Sequence, residues 1–275
     1  MMSSSPSVPP NVLSAVRERW PDRAEKWAQG VEVELRDLCA RYDATLRQIL
    51  PARYGFVVAV DTANGGLVMR SSPDPSGPTQ ALVAASLAVL GIAPRLHETI
   101  TNDSGTWTVL DEVLPATPLA DVERPLDSLD SLVGPLTAMK DQRAPVPDMP
   151  SIIGWLRSRL VADHLRDVAP GSRRVLSPVR RAAVLMLEQL AENTAPQLCH
   201  GDMSPWNILR QGDNGWMLID PRGMSGEVSY DVAVLGMKIA GSRSPERVVA
   251  RLARAVGIDR KRVQAWSIVA HAAQV

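Results

Sequence analysis

His200-Gly201-Asp202-Met203-Ser204-Pro205-Trp206-Asn207-Ile208-Leu209, followed shortly by Trp216-Met217-Leu218-Ile219-Asp220, is the stretch that decides how this chain is read. Two carboxylates and one carboxamide, Asp202, Asp220 and Asn207, stand at fixed spacing on a loop and at the end of a neighbouring strand. Phosphoryl transfer from a nucleotide needs such a set. One Asp accepts the proton of an attacking hydroxyl, while an Asn and a second Asp offer hard oxygen ligands to Mg²⁺.

Around this stretch the pattern is regular. Two short strands, 207–209 and 216–219, flank a polar turn in which Asp213 and Asn214 serve as turn formers. Downstream, apolar periodicity predicts helices over 231–240, 245–256 and 261–273. Upstream, 152–168 and 179–192 read as helices, the second stopped at Asn193 and Pro196. Further back, 81–90 is an apolar helix stopped by Gly91 and Pro94, with Thr79 as a candidate cap. It reads as core packing under a sheet. Strands are predicted at 55–60, 66–70 and 106–110, the first two joined by Asn64-Gly65, a dipeptide suited to a tight primed turn. Trp27, Val31, Leu35, Leu38, Tyr42, Leu46 and Ile49 step by three and four, which predicts an amphipathic helix over 22–49, either continuous or interrupted near Gly30. Strands first and helices afterwards give a segregated α+β protein. The expected division is a loose tail over 1–21, a β-rich lobe over 22–113 and a helical lobe over 114–275.

Bulk properties exclude several classes. Thirty basic and thirty acidic residues cancel, which argues against a nucleic-acid partner. Cys39 and Cys199 stand far apart, and His97, His164, His200 and His271 have no ligand-like spacing, so neither a disulfide framework nor a zinc site is expected. The longest near-apolar run, 81–94, is shorter than the roughly 20 residues a bilayer requires. No signal peptide is read at the N-terminus, and a cytoplasmic setting is expected.

The step from Asp202 to Asn207 equals that in the kinase catalytic loop H-R-D-x-x-x-x-N, with Gly201 in place of the Arg. Taken with Ile219-Asp220-Pro221-Arg222-Gly223 and Tyr230-Asp231-Val232-Ala233, the loop resembles the aminoglycoside phosphotransferase family, most closely its streptomycin 6-kinase and hydroxyurea-resistance kinase branch. The resemblance spans about residues 45–270. It implies a two-lobed protein-kinase-like fold, ATP or GTP as co-substrate in the cleft, and Mg²⁺. It further implies Asp202 as catalytic base, Asn207 and Asp220 as metal ligands, and Asp231 as the buried acceptor that holds the loop. Nucleotide contacts are implied at Arg70, Gln80, Glu112 and Val113. Arg70 stands where the family has a strand lysine, and Gln80, or a residue close to it, where it has the partner carboxylate. Glu98 and Glu112 are candidates to supply the missing negative charge.

Other residues carry more than one reading. His200 reads as a support of the loop, because phosphoryl transfer needs no imidazole there. Arg222 either touches phosphate or substrate, or pairs with an acidic group. Trp206 and Trp216 read as core fillers, and Cys199 as a small buried side chain. The basic stretch 241–275 reads either as a solvated helix face or as a lining of the acceptor site that would disfavour a polycation; the acidic stretch 121–148 is a candidate cap on the acceptor side. The expected acceptor is a small hydroxylated molecule, an aminoglycoside such as streptomycin among the possibilities. The Arg70/Gln80 departure also admits a second class, a pseudokinase-like nucleotide-binding or regulatory protein. A protein kinase ranks last, since no A-P-E-type segment end follows Asp220.

Overall fold

The computed structural model describes residues 7–165, 167–168, 172–192, 196–213 and 215–275. The first six residues of the expected tail, the helix stop at Asn193 and the turn residue Asn214 lie outside them. The chain divides into two units, one of residues 1–81 and 94–112, the other of 82–93 and 113–275.

The first unit is a five-stranded antiparallel sheet with helices against one face. Its strands are β1 (Thr45–Leu50), β2 (Phe56–Thr62), β3 (Gly65–Ser72), β4 (Leu96–Thr101) and β5 (Thr106–Asp111), in the order β1-β2-β3-β5-β4. Its helices are α1 (Pro10–Arg19) and α2 (Pro21–Arg41). Alternation puts Phe56, Val58 and Val60 on one face, where they meet Val16, Trp27, Val31 and Leu35 in a single apolar cluster. Polar contacts fix the docking: the Trp27 indole N–H donates to Ser71 Oγ at 2.9 Å, and that of Trp107 to Glu34 at 2.7 Å.

Two expectations are corrected here. The segment 10–19 is no loose tail but α1, with Val12 and Val16 buried. The helix expected over 22–49 ends at Arg41, because Tyr42 and Asp43 form a turn with Asp43 in the left-handed region (φ 46°), and Thr45–Leu50 then pairs with β2. Helical spacing at Leu46 and Ile49 was coincidental with a strand. Gly105 packs where a side chain has no room, since a Cβ there would lie 2.4 Å from the Ser72 carbonyl oxygen. Gly105→Ala should lower stability by about 1–3 kcal/mol, measured by urea denaturation.

The second unit is mainly helical. Helix α3 (Gly77–Val89) enters it from Leu82 onward. Next come β6 (Pro115–Pro118), α4 (Leu129–Met139), α5 (Ile152–Val161), α6 (Ser177–Glu192), β7 (Gln197–Leu198), β8 (Ile208–Gln211), β9 (Gly215–Leu218) and β10 (Ser225–Gly226). The closing helices are α7 (Val228–Lys238), α8 (Pro245–Val256) and α9 (Arg260–Ala272). Val83 and Leu87 of α3, expected to pack under the sheet, join the core of the helical unit. Helix α5 stops at Val161, short of 168, where Ala162 turns extended. Helix α4 sits inside the acidic stretch and buries Leu129, Leu132, Leu136 and Met139 while exposing Asp130, so this part of the stretch serves the core. No described helix is long and apolar enough to cross a membrane.

Candidate active site

The loop 200–207 is held from behind by α7. Asp231, in the first turn of that helix and fully buried, accepts the backbone N–H groups of His200 and Gly201, each at 2.9 Å. Burial raises its carboxyl above the ordinary aspartate range, opposed by His200 and these two N–H donors. The Cys199 thiol, pushed well up by its own burial, also hydrogen-bonds this carboxyl.

The loop is then tied to the strand end that carries Asp220. The His200 ring bonds the Ile219 carbonyl oxygen through Nε2 at 2.9 Å, and Arg222 N–H donates to the His200 carbonyl at 2.8 Å. Ile219 N–H donates to the Asn207 carbonyl at 2.9 Å, which sets Asp220 beside Asn207 along the backbone. Gly201 takes φ +77°, and a Cβ there would lie 2.9 Å from the Arg222 Cβ, so only glycine fits the corner before Asp202.

Asn207 turns its amide so that Nδ2 donates to the Asp202 carbonyl oxygen at 3.0 Å. That bond admits only the nitrogen, which leaves Oδ1 directed away as a hard ligand atom. Among the described residues no group of three His, Cys, Asp or Glu side chains is arranged to hold a metal. Mg²⁺ takes one or two protein oxygens and fills its shell with water and phosphate. Asn207 and Asp220 fit that requirement.

The carboxylate of Asp202 faces two cations. Arg222 Nη2 lies 3.4 Å from Oδ2 and Lys238 Nζ 4.0 Å from Oδ1. Arg222 is itself fixed, its Nε donating to the Gly201 carbonyl at 3.0 Å and its guanidinium lying 4.1 Å from the Trp155 ring centre. The acid that Arg222 meets is Asp202 of the loop itself. Lys238 was not anticipated. Its signal was present, for it follows Asp231 by two helical turns and so shares the face turned to the loop. Trp155 had no signal in the sequence. Trp216 is buried as expected, but Trp206 is 60% exposed and is no core filler.

In the first unit Arg70 Nη1 donates to Gln80 Oε1 at 3.4 Å, and Gln80 Nε2 donates to Asp74 at 3.0 Å. Asp74 thus orients the amide that meets the guanidinium. Glu98 is engaged by Arg41 and by the Tyr42 hydroxyl, and Glu112 by Arg47. Glu112 closes the first unit, and Val113, buried, begins the second.

The fold is that of the small-molecule kinases. The solved structures it resembles include a choline/ethanolamine kinase family protein from Mesorhizobium loti (TM-score 0.64, 19% identity, 86% of this chain and 79% of that one). A second is an aminoglycoside-3'-phosphotransferase of type VIII (0.58, 19%, 86% and 96%). A third is an aminoglycoside phosphotransferase from Streptomyces rimosus in complex with ADP and streptomycin (0.59, 16%, 87% and 97%). The chain belongs to the phosphotransferase enzyme family known as APH, whose pattern it matches over residues 45–266. Among curated proteins, streptomycin 3''-kinase of Klebsiella pneumoniae is 33% identical over 93 residues, a match that spans 32% of this chain and 30% of that protein.

Proposed function

We propose that this protein transfers the γ-phosphoryl group of ATP or GTP to a hydroxyl of a small molecule, with Asp202 as base and Asn207 and Asp220 as ligands of Mg²⁺. The observation that carries the reading is the double tether of the loop. Asp231 fixes its first two N–H groups, and the Asn207 amide fixes the Asp202 carbonyl. Catalysis of phosphoryl transfer is largely positioning and charge stabilisation, so a loop pre-set on both sides of the base is what the reaction needs. Mg²⁺ held at Asn207 and Asp220 would neutralise charge on the β- and γ-phosphate oxygens.

Asp202 receives the proton of the acceptor hydroxyl as the bond to phosphorus forms. His200 keeps its ring on the Ile219 carbonyl and acts as a positioning residue. In the first unit, Arg70, steadied by Gln80, is the group that grips nucleotide phosphate; Glu112 and Val113 are further proposed nucleotide contacts. A cytoplasmic setting, where Mg²⁺-nucleotide is plentiful, fits this chemistry. Arg70→Ala should raise the KM for nucleotide about ten- to a hundredfold, the effect of losing a charge-assisted contact. Asp74→Asn should give a smaller rise. Initial rates at varied ATP and GTP check both.

The Arg70–Gln80 contact favours one rival, a binding protein that keeps the nucleotide and does little chemistry. Saturable Mg²⁺-nucleotide binding with no phosphoryl transfer to any acceptor, and no slow hydrolysis, would select it over the enzyme.

A further inference from the structure

We propose that the side of Asp202 turned to Arg222 and Lys238 is an acceptor subsite for an anionic group, so that the molecule phosphorylated is a hydroxylated carboxylate and not a polycation. The inference rests on the reading of Asp202 as the base, and it names the substrate class of that site.

The charges do not cancel. Arg222 and Lys238 face one carboxylate, that of Asp202, and among the described residues neither pairs with another acid. Two positive charges against one negative leave a single positive charge to be met. The next cation, Arg159, whose guanidinium lies 4.8 Å from the centre of the same Trp155 ring, is already matched by Asp167 at 2.7 and 2.6 Å. It contributes no compensating acid. Burial lowers the affinity of Lys238 for its proton, Asp202 restores part of it, and Arg222 and Arg159 lower it further.

Position points the same way. A hydroxyl that gives its proton to Asp202 must approach a carboxylate oxygen to about 3 Å. The cations lie at 3.4 and 4.0 Å from those same oxygens. They therefore stand within reach of substituents one or two carbons from the reacting hydroxyl. All three side chains keep partial access to solvent, with 22, 30 and 32% of Arg222, Lys238 and Asp202 exposed, so a ligand can meet them. Arg222 is also rigid, pinned between the Gly201 carbonyl and Trp155, and a preset guanidinium loses little freedom on taking a carboxylate. A polycationic aminocyclitol would bring further positive charge to this face, with only Asp202 to offset it.

The test uses the full-length protein and matched compounds: D-gluconate against D-glucitol, D-glycerate against glycerol, and streptomycin as the polycation. Binding is measured by calorimetric titration at fixed ionic strength, and transfer by nucleoside diphosphate release. The acids should bind at least tenfold tighter than their neutral partners. Lys238→Met should weaken the acids about ten- to a hundredfold, and Lys238→Arg should retain most of the affinity. Equal binding of acid and polyol, absence of saturable binding by either acid, or preference for streptomycin would overturn the proposal while leaving the kinase reading intact. So would a Lys238→Met enzyme whose nucleotide KM rises while acid affinity stays unchanged, since the cations would then serve the phosphates. Acid binding that Lys238→Met weakens, without transfer to any compound by wild-type protein, would uphold the anion subsite and count against the kinase reading instead.

Discussion

Asp202→Asn should lower turnover by about 10²–10⁴-fold while leaving nucleotide affinity nearly unchanged, which is the signature of a lost general base. The substitution keeps the size and most of the polarity of the side chain. It removes the proton acceptor and the negative charge that Arg222 and Lys238 face at 3.4 and 4.0 Å. The carbonyl bond to Asn207 is a backbone contact and survives. The loop should hold its shape, and because the pairs at Asp202 are partly exposed, the stability change should stay within about 1 kcal/mol. Steady-state rates with ATP and GTP, together with a thermal unfolding scan, test both halves. A variant with undiminished turnover would remove Asp202 from the chemistry.

Asp231→Ala should behave in the opposite way, losing stability and activity together. Its carboxylate is the partner of two buried backbone N–H groups, at His200 and Gly201. Alanine would leave both unpaired, and a buried unsatisfied donor costs about 1–3 kcal/mol. A total loss of roughly 2–6 kcal/mol corresponds to a fall in Tm on the order of 10 °C for a chain of this size. Differential scanning calorimetry beside the kinetic assay separates the two residues: Asp202→Asn cold and stable, Asp231→Ala inactive and unstable. A Tm unchanged by Asp231→Ala would contradict the tether.

The catalytic stretch was legible because its chemistry is contiguous. Asp202, Asn207 and Asp220 lie within one loop and one hairpin, so spacing along the chain carries most of the spatial information. The closing helices were legible too, from their apolar periodicity; in the structure Gly257 ends α8 in the left-handed region and the Asp259 side chain caps α9. Where a boundary depended on backbone turning, sequence periodicity misled: Leu46 and Ile49 continue the spacing of α2, but the Tyr42-Asp43 turn redirects them into β1. Helix α4 was hidden by the acidic stretch it lies in and by Pro135 inside it. The surroundings of Asp202 were least legible. Trp155, Arg222 and Lys238 converge from α5, the segment after β9 and the end of α7, and only the fold brings them together. The relay from Asp74 through Gln80 to Arg70 starts in the loop before α3, six residues ahead of Gln80, where no spacing rule marks it.

The central claim is that Asn207 and Asp220 make nucleotide binding depend on a divalent ion. Calorimetric titration of ATP and GTP into wild-type, Asn207→Ala and Asp220→Asn protein, with Mg²⁺ and with chelator, tests it most directly. Wild type should bind saturably, with affinity falling at least tenfold without Mg²⁺ and in Asp220→Asn, and Asn207→Ala should be affected in the same direction. Equal affinity in all three proteins, with or without the ion, would contradict it.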